Sequence, residues 1–356
     1  MIGIKEVASK AGVSISTVSN VLNNRRPVSE ELRQKVLKVA KELAYEPDPV
    51  ARNMKAPNSK IIGVIVGDMY GVFYPFVIKG IDEIASPMGY TIITSGGKDS
   101  FVNADYELEL FNQFVNNRVD GIIFVSAISN EKSGEHCERL LKIANKFKRT
   151  PIVSIERNFA AHGIDSVYFN GYENARLAMK HLLDCGCRKI CHISGPSDII
   201  GIVGERIKGY RDEMESAGIE VTDDMIVSGN YSHQGGYLAM KELMRRFPDL
   251  DGIFCGNDQM AVGAVKAAKE LGKVIPDDIR IIGYDDVFVS SIIDPPLSSI
   301  HIKKRHAGIE AARLLIKRIE NENVAEEPQQ ILMEGRLVVR QSTVASAQED
   351  WILTDW

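Results

Sequence analysis

The 356-residue chain is poor in cysteine and tryptophan, with five and two residues. So few cysteines, and an odd number of them, argue against a disulfide framework and for a reducing compartment. Long apolar runs are missing too. No stretch approaches the roughly 20 residues of a membrane span, so no membrane association is expected. The start, Met1-Ile2-Gly3-Ile4-Lys5-Glu6, lacks the basic segment and apolar core of a secretory signal, and the expected location is the cytoplasm. Seven scattered histidines form no visible triad with a Ser or Cys, so no enzyme is expected. Gly201-Ile202-Val203-Gly204 lacks the lysine of a phosphate loop. Cys185-Gly186-Cys187-Arg188-Lys189-Ile190-Cys191 matches no common zinc spacing, and Cys191 falls on an expected core strand. Neither a metal nor a cofactor is expected.

What is present is a globular composition, 44% hydrophobic and 26% charged, long enough for two or three domains. The net charge of −5 hides a split. Residues 1–60 carry 11 basic against 6 acidic side chains, net +5, whereas residues 61–356 carry 32 against 42, net −10. A basic head on an acidic body is the footprint of a nucleic-acid module fused to something else.

The head ends near Tyr45-Glu46-Pro47-Asp48-Pro49, where two prolines one residue apart cannot sit inside a helix. Before it, Ile4, Val7, Ala8 and Ala11 share one helical face, and Val18, Val21 and Leu22 another. Leu32, Val36, Val39, Ala40 and Leu43 make a third, with Ser29 as its expected N-cap. The run from Ile4 to Asn23 reads as a helix-turn-helix. Gly12 permits the turn, Val13 plugs the angle and Ser14 caps the second helix. Ser16, Thr17, Ser19 and Asn20 alternate with Val18, Val21 and Leu22, giving one face for the bundle and one for a groove. The blander reading is an ordinary helical hairpin with a polar outer face.

From Lys60 the texture changes to apolar strands alternating with amphipathic helices: Ile61–Val66, Tyr90–Thr94, Gly121–Val125, Pro151–Ile155, Lys189–Ile193, Met225–Val227, Gly252–Cys255 and Arg280–Ile282. That is the signature of parallel sheets with covered faces. Val119-Asp120-Gly121-Ile122-Ile123-Phe124 returns as Leu250-Asp251-Gly252-Ile253-Phe254, so the body divides into two similar lobes. The ligand site expected of such a body is the cleft at the strands' carboxyl ends.

The head, the linker Tyr45–Lys55, Asn257-Asp258-Gln259-Met260-Ala261, Gly283-Tyr284-Asp285-Asp286 and Asp294-Pro295-Pro296-Leu297-Ser298-Ser299-Ile300 resemble the LacI/GalR family of transcription regulators over essentially the whole chain. The resemblance implies a small all-α helix-turn-helix head plus an α/β body of two doubly wound parallel-sheet lobes, periplasmic-binding-protein-like. It also implies these boundaries: head 1–46, hinge 47–59, body 60–344 and tail 345–356. Lobe 1 is then about 60–159 plus 304–330, and lobe 2 about 160–300 plus 331–344.

Carried over residue by residue, Ile15, Ser16 and Asn20 take base-reading positions, and Thr17 and Ser19 phosphate-contact positions. Met54 stands where the family wedges an apolar side chain into the minor groove, with Lys55 beside it. Asp68, Phe73, Tyr74, Glu156, Arg206, Tyr231, Asn257 and Asp285 take effector-binding positions; Glu156 replaces the commoner Asp. Taken singly, Asn257 reads equally well as a helix cap, Tyr231 as core packing and Arg206 as a surface ion pair.

The function this implies is a repressor that binds palindromic double-stranded operator DNA as a homodimer and is controlled by a small effector, a sugar or sugar derivative. A purine-type corepressor, a protein co-regulator and, more remotely, a solute-binding protein are the alternatives. The tail, too short and irregular for a coiled coil, argues for a dimer over a tetramer.

Overall fold

The structure, a computed structural model, describes residues 3–23, 27–45, 58–69, 71–96, 104–126, 128–196, 200–321 and 327–348. The chain divides into two compact units, residues 1–59 and 60–356, each described here by itself.

In the first unit, α1 (Ile4–Ala11), α2 (Ile15–Asn23) and α3 (Glu30–Glu42) close around Val7, Ala8, Ala11, Val18, Val21, Val36, Val39 and Ala40. Gly12 turns the chain between α1 and α2 at φ 64°, a left-handed value that costs glycine little. Val13 packs beneath the turn, partly buried against the same cluster. The expected cap on α3 is not made. Ser29 occupies the N-cap position, but its hydroxyl accepts no helix N–H; its backbone carbonyl takes the bond from Arg33 N instead.

The second unit holds two six-stranded sheets of matching order. The first is built from β1 (Ile61–Ile65), β2 (Thr91–Ser95), β3 (Gly121–Val125), β4 (Ile152–Glu156), β5 (Asp165–Phe169) and β11 (Gln330–Met333), in the order β11-β5-β4-β3-β1-β2. The second is built from β6 (Ile190–Ser194), β7 (Ile226–Ser228), β8 (Gly252–Cys255), β9 (Arg280–Asp285), β10 (Ser298–His301) and β12 (Arg336–Val338), in the order β12-β10-β9-β8-β6-β7. All pairings are parallel except β10 with β12. Each sheet reverses its strand order beside its first strand, and doubly wound sheets open their ligand crevice at that point.

Helices α4 (Tyr74–Ala85), α5 (Ala104–Asn116) and α6 (Ser133–Ala144) follow strands of the first sheet. Helices α7 (Gly171–Asp184), α8 (Ile200–Ser216), α9 (His233–Arg246), α10 (Asp258–Glu270) and the short α11 (Val289–Ile292) belong to the second, and α12 (Lys304–Glu320) returns to pack on α4. One apolar cluster runs through both lobes, from Val64 and Ile123 to Ile190 and Ile300.

Two sequence-based boundaries shift. The chain does not leave lobe 1 near residue 160: β5 pairs with β4 and stays in the first sheet. The C-terminal return extends beyond 330, because β11 completes the first sheet through Met333 before β12 joins the second. The physical reason is composition and burial. β5 alternates buried Val167 and Phe169 with partly exposed Tyr168, and β11 is mostly exposed on an edge, so neither carries the continuous apolar run that marked the inner strands.

Candidate functional site

Helix α2 starts on a hydroxyl cluster. Ser14 Oγ accepts the Thr17 backbone N–H at 3.1 Å and lies 2.7 Å from Ser16 Oγ and 2.8 Å from Thr17 Oγ1. One side chain therefore caps the helix and orients two others that the sequence assigns to DNA. Val18 is fully buried, whereas Ile15 remains 43% exposed. Ser19 and Asn20 are partly buried, and α2 carries no charge in its first or last turn. Met54 and Lys55 lie outside the described residues.

Between the two lobes lies a cleft of about 630 Å³ including its open mouth, the size range of small-molecule sites. All eight residues expected at an effector site line it. Asp68, from the loop after β1, and Phe73 and Tyr74, at the start of α4, come from lobe 1, as does Glu156 at the end of β4. Arg206 of α8, Tyr231 after β7, Asn257 after β8 and Asp285 ending β9 come from lobe 2. The sequence reading missed Gly71, Val72, Ile202 and Gln259. Gln259 was within reach, two residues past Asn257 on the first turn of α10. Ile202 sat in a segment considered only as a failed phosphate loop.

Asp285 is buried, yet its carboxylate takes no hydrogen bond from the described residues. Burial pushes its pKa up to about 7, with Arg206 and Lys304 pulling the other way. Glu156 accepts the Tyr74 hydroxyl on Oε2 at 3.0 Å, leaving Oε1 without a partner among the described residues. Burial raises this carboxyl to about 7 as well, against Arg206.

Arg206 is buried rather than a surface ion pair. Its guanidinium lies 3.8 Å over the Tyr284 ring, Nη1 donates to the Gly256 carbonyl at 2.6 Å, and Nε has no partner among the described residues. Asn257 combines both of its readings: Oδ1 caps α10 through Met260 N at 2.9 Å while the residue lines the cleft. Tyr231 does too, since its ring packs so closely on Gly195 that a Cβ there would meet Cζ at 2.4 Å. Glu156, Tyr231 and Asp285 hold φ of 75°, 52° and 100°. Non-glycine residues in such conformations cost about 1–3 kcal/mol each and gather where a site must be preorganised.

Beneath the cleft is a knot with the opposite character. Asp258 accepts Val287 N, Ser290 Oγ and Ser299 Oγ at 2.7–2.8 Å. Asp286 binds Arg340 Nη1 and His301 Nδ1, both at 2.8 Å, and Lys304 Nζ donates to the Asp285 and Asp286 carbonyls. Gly283 is required here by proximity, since a Cβ would stand 2.0 Å from Asp258 Oδ1. The cysteines belong to the packing. Cys191 is buried on β6 and Cys187 just before it, and burial pushes their thiols up to about 12 and about 11.

The head, residues 3–48, matches the family of bacterial regulatory proteins, lacI family, and residues 179–343 match the periplasmic binding protein-like domain. Over 352 residues, 99% of each chain, the sequence is 33% identical to the HTH-type transcriptional repressor PurR of Escherichia coli. The chain belongs to the LacI/GalR family. It is a DNA-binding transcriptional repressor of that family and not an enzyme. Among solved structures, a complex of the transcriptional regulator CelR with cellobiose superposes with a TM-score of 0.69 at 28% identity, covering 96% of this chain and all of that one. A lac repressor dimer bound to operator and the anti-inducer ONPF gives 0.81 at 24% identity over 96% and 99%, a likeness of fold. Among the described residues, no helix is long and apolar enough to cross a membrane.

Proposed function

We propose that this repressor is controlled by a small carbohydrate held between its two lobes, and that it grips a palindromic operator in the cytoplasm as a homodimer. The observation that carries the reading is Asp285, whose carboxylate lines the cleft and takes no hydrogen bond from the described residues, beside Arg206, whose buried Nε has no partner among them. Leaving such groups unmatched costs free energy, and a ligand that both donates and accepts recovers it. Sugar hydroxyls do both, and Phe73, Tyr74 and Tyr231 supply apolar surface for a ring. The relative solved with cellobiose supports the same class.

Because the lining comes from both lobes, a ligand that touches both favours one lobe arrangement, and that preference is the means of control. At the DNA end, Ile15, Ser16 and Asn20 are the proposed base readers, Thr17 and Ser19 the phosphate contacts, and Met54 with Lys55 the minor-groove segment. Two copies are needed because one helix-turn-helix covers a half-site.

The test is the shift in melting temperature across a panel of neutral sugars and a panel of nucleobases, followed by operator binding with and without each hit. Sugars that stabilise the protein and change operator affinity support the proposal. Stabilisation by nucleobases alone overturns it in favour of a purine-type corepressor.

A further inference from the structure

The charges around the cleft are unbalanced. Among the described residues, Asp68, Glu156 and Asp285 line it against a single cation, Arg206, and no lysine does. That one cation is already partly spent, stacked over Tyr284 and bonded through Nη1 to the Gly256 carbonyl. Arg157, next in sequence to Glu156, is engaged elsewhere: its guanidinium donates to the Ile128 carbonyl and Asn130 Oδ1 and lies over the Phe159 ring.

Of the helix starts at the cleft, those of α4 and α10 offer an anion little. Asn257 Oδ1 already takes the Met260 N–H at the start of α10, and α4 has Pro75, which has no N–H to give, in its first turn. From these placements we infer that the cleft accepts an uncharged, hydroxyl-bearing sugar and turns away its phosphorylated or carboxylated form, with Glu156 setting the discrimination.

This rests on the carbohydrate reading above and narrows it. Arg206 acts on both carboxyls, with Lys304 added at Asp285 and Arg157 at Glu156, so nearby cations do not separate the two; position does. Glu156 is held in place by the Tyr74 hydroxyl, which fixes its carboxylate at the lobe 1 side and leaves Oε1 to accept from a ligand. A neutral sugar satisfies Oε1 with a hydroxyl. An anionic group in the same cleft meets repulsion in a medium where charges a few ångströms apart interact several-fold more strongly than in bulk water.

The experiment is calorimetry on the full chain with matched pairs: glucose and glucose 6-phosphate, trehalose and trehalose 6-phosphate, galactose and galacturonate. In the native protein the neutral member of a binding pair should be at least tenfold tighter. Glu156→Gln keeps an acceptor for Tyr74 and removes the charge, and should narrow that gap by about tenfold, the effect of one charge interaction of ordinary size. Equal or tighter binding of the anionic member by native protein overturns the inference while leaving the carbohydrate reading intact, and needs no variant. An unchanged gap in a Glu156→Gln protein that melts natively and still binds neutral sugar overturns the role of Glu156. Binding of no sugar at all overturns this inference and the carbohydrate reading together.

Discussion

Asp285 and Asp286 are neighbours in sequence, both buried, and sit in regions built on opposite principles. In the knot, Asp286 meets Arg340 and His301, and Asp258 collects three donors. Burial works to raise the Asp286 carboxyl, and the His301 hydrogen bond and Arg340 more than offset it, holding it below its ordinary value. In the cleft, the Asp285 carboxylate takes no hydrogen bond from the described residues, and it is pushed the other way. Asp258, despite its donors, is also raised to about 7 by burial, so hydrogen-bond partners rather than pKa mark which buried acid serves the fold. Satisfied groups fix geometry, and unsatisfied ones hold binding energy in reserve.

The largest effect should follow from breaking the knot. Asp286→Ala leaves Arg340, whose Nε and Nη2 already lack partners among the described residues, without its anionic partner in a buried site. Removing one member of a buried ion pair costs about 3–5 kcal/mol, so thermal unfolding of the variant should fall by many degrees. A melting temperature close to native would mean that the knot does not hold the body.

Asp285→Asn should do the reverse, costing no stability while abolishing most of the ligand response. Its folded pKa of about 7 lies above the ordinary carboxylate value, so the native state binds the extra proton. The contribution of Asp285 to stability is therefore greatest at acid pH and is lost as pH rises through about 7. Asparagine escapes that loss, and the stability gap should move in the variant's favour from about pH 4 to pH 7. Sugar affinity should fall roughly ten- to hundredfold with the charged acceptor gone. Affinity within threefold of native by calorimetry would remove Asp285 from the site.

A smaller effect sharpens the same contrast without mutation. Glu156 and Asp285 both titrate near 7, and only their ionised forms accept fully from hydroxyls. Neutral-sugar affinity should thus rise several-fold between pH 6 and pH 8, with protons released on binding. Calorimetry in two buffers of different ionisation enthalpy measures that release directly. A pH-independent affinity would mean that neither carboxylate takes the ligand's hydroxyls.

How much of this the sequence carried depends on the range of the interactions. The head was legible because its determinants are local: Gly12, Val13, Ser14 and the apolar spacing of Val18, Val21 and Leu22 act within two helices. Eight strands were legible as apolar runs, edge strands β2 and β7 among them, but β5, β10, β11 and β12 were not, because polar residues interrupt them or leave them too short an apolar run. The eight cleft residues were named through family resemblance. Nothing local distinguishes Asp285 from Asp286, or Asn257 from Asp258; the distinction arises only when β10, α12 and Arg340 close over one of each pair. Arg157 shows the same limit. Its neighbour Glu156 lines the cleft, but only the folded chain shows Arg157 turned to the Ile128 carbonyl.

The smallest effect extends the contrast between engaged and unengaged groups to the head, where two serines stand at helix starts. Ser14 Oγ caps α2 and touches the hydroxyls of Ser16 and Thr17; the Ser29 hydroxyl makes no capping bond to α3. Ser14→Ala should therefore cost about 1 kcal/mol of head stability, the usual value of a lost cap, whereas Ser29→Ala should cost little. The loss at Ser14 falls on the helix that carries the proposed base readers. Specific operator affinity should drop several-fold as the first turn frays and Ser16 and Thr17 lose their common anchor. Non-specific binding, which depends on phosphates, should change less. Operator and random-sequence titrations at one salt concentration check both variants. If Ser29→Ala weakens operator binding as much as Ser14→Ala, the capping cluster is not what positions the reading helix. The proposed roles of Ser16 and Thr17 would then have to stand on their own substitutions.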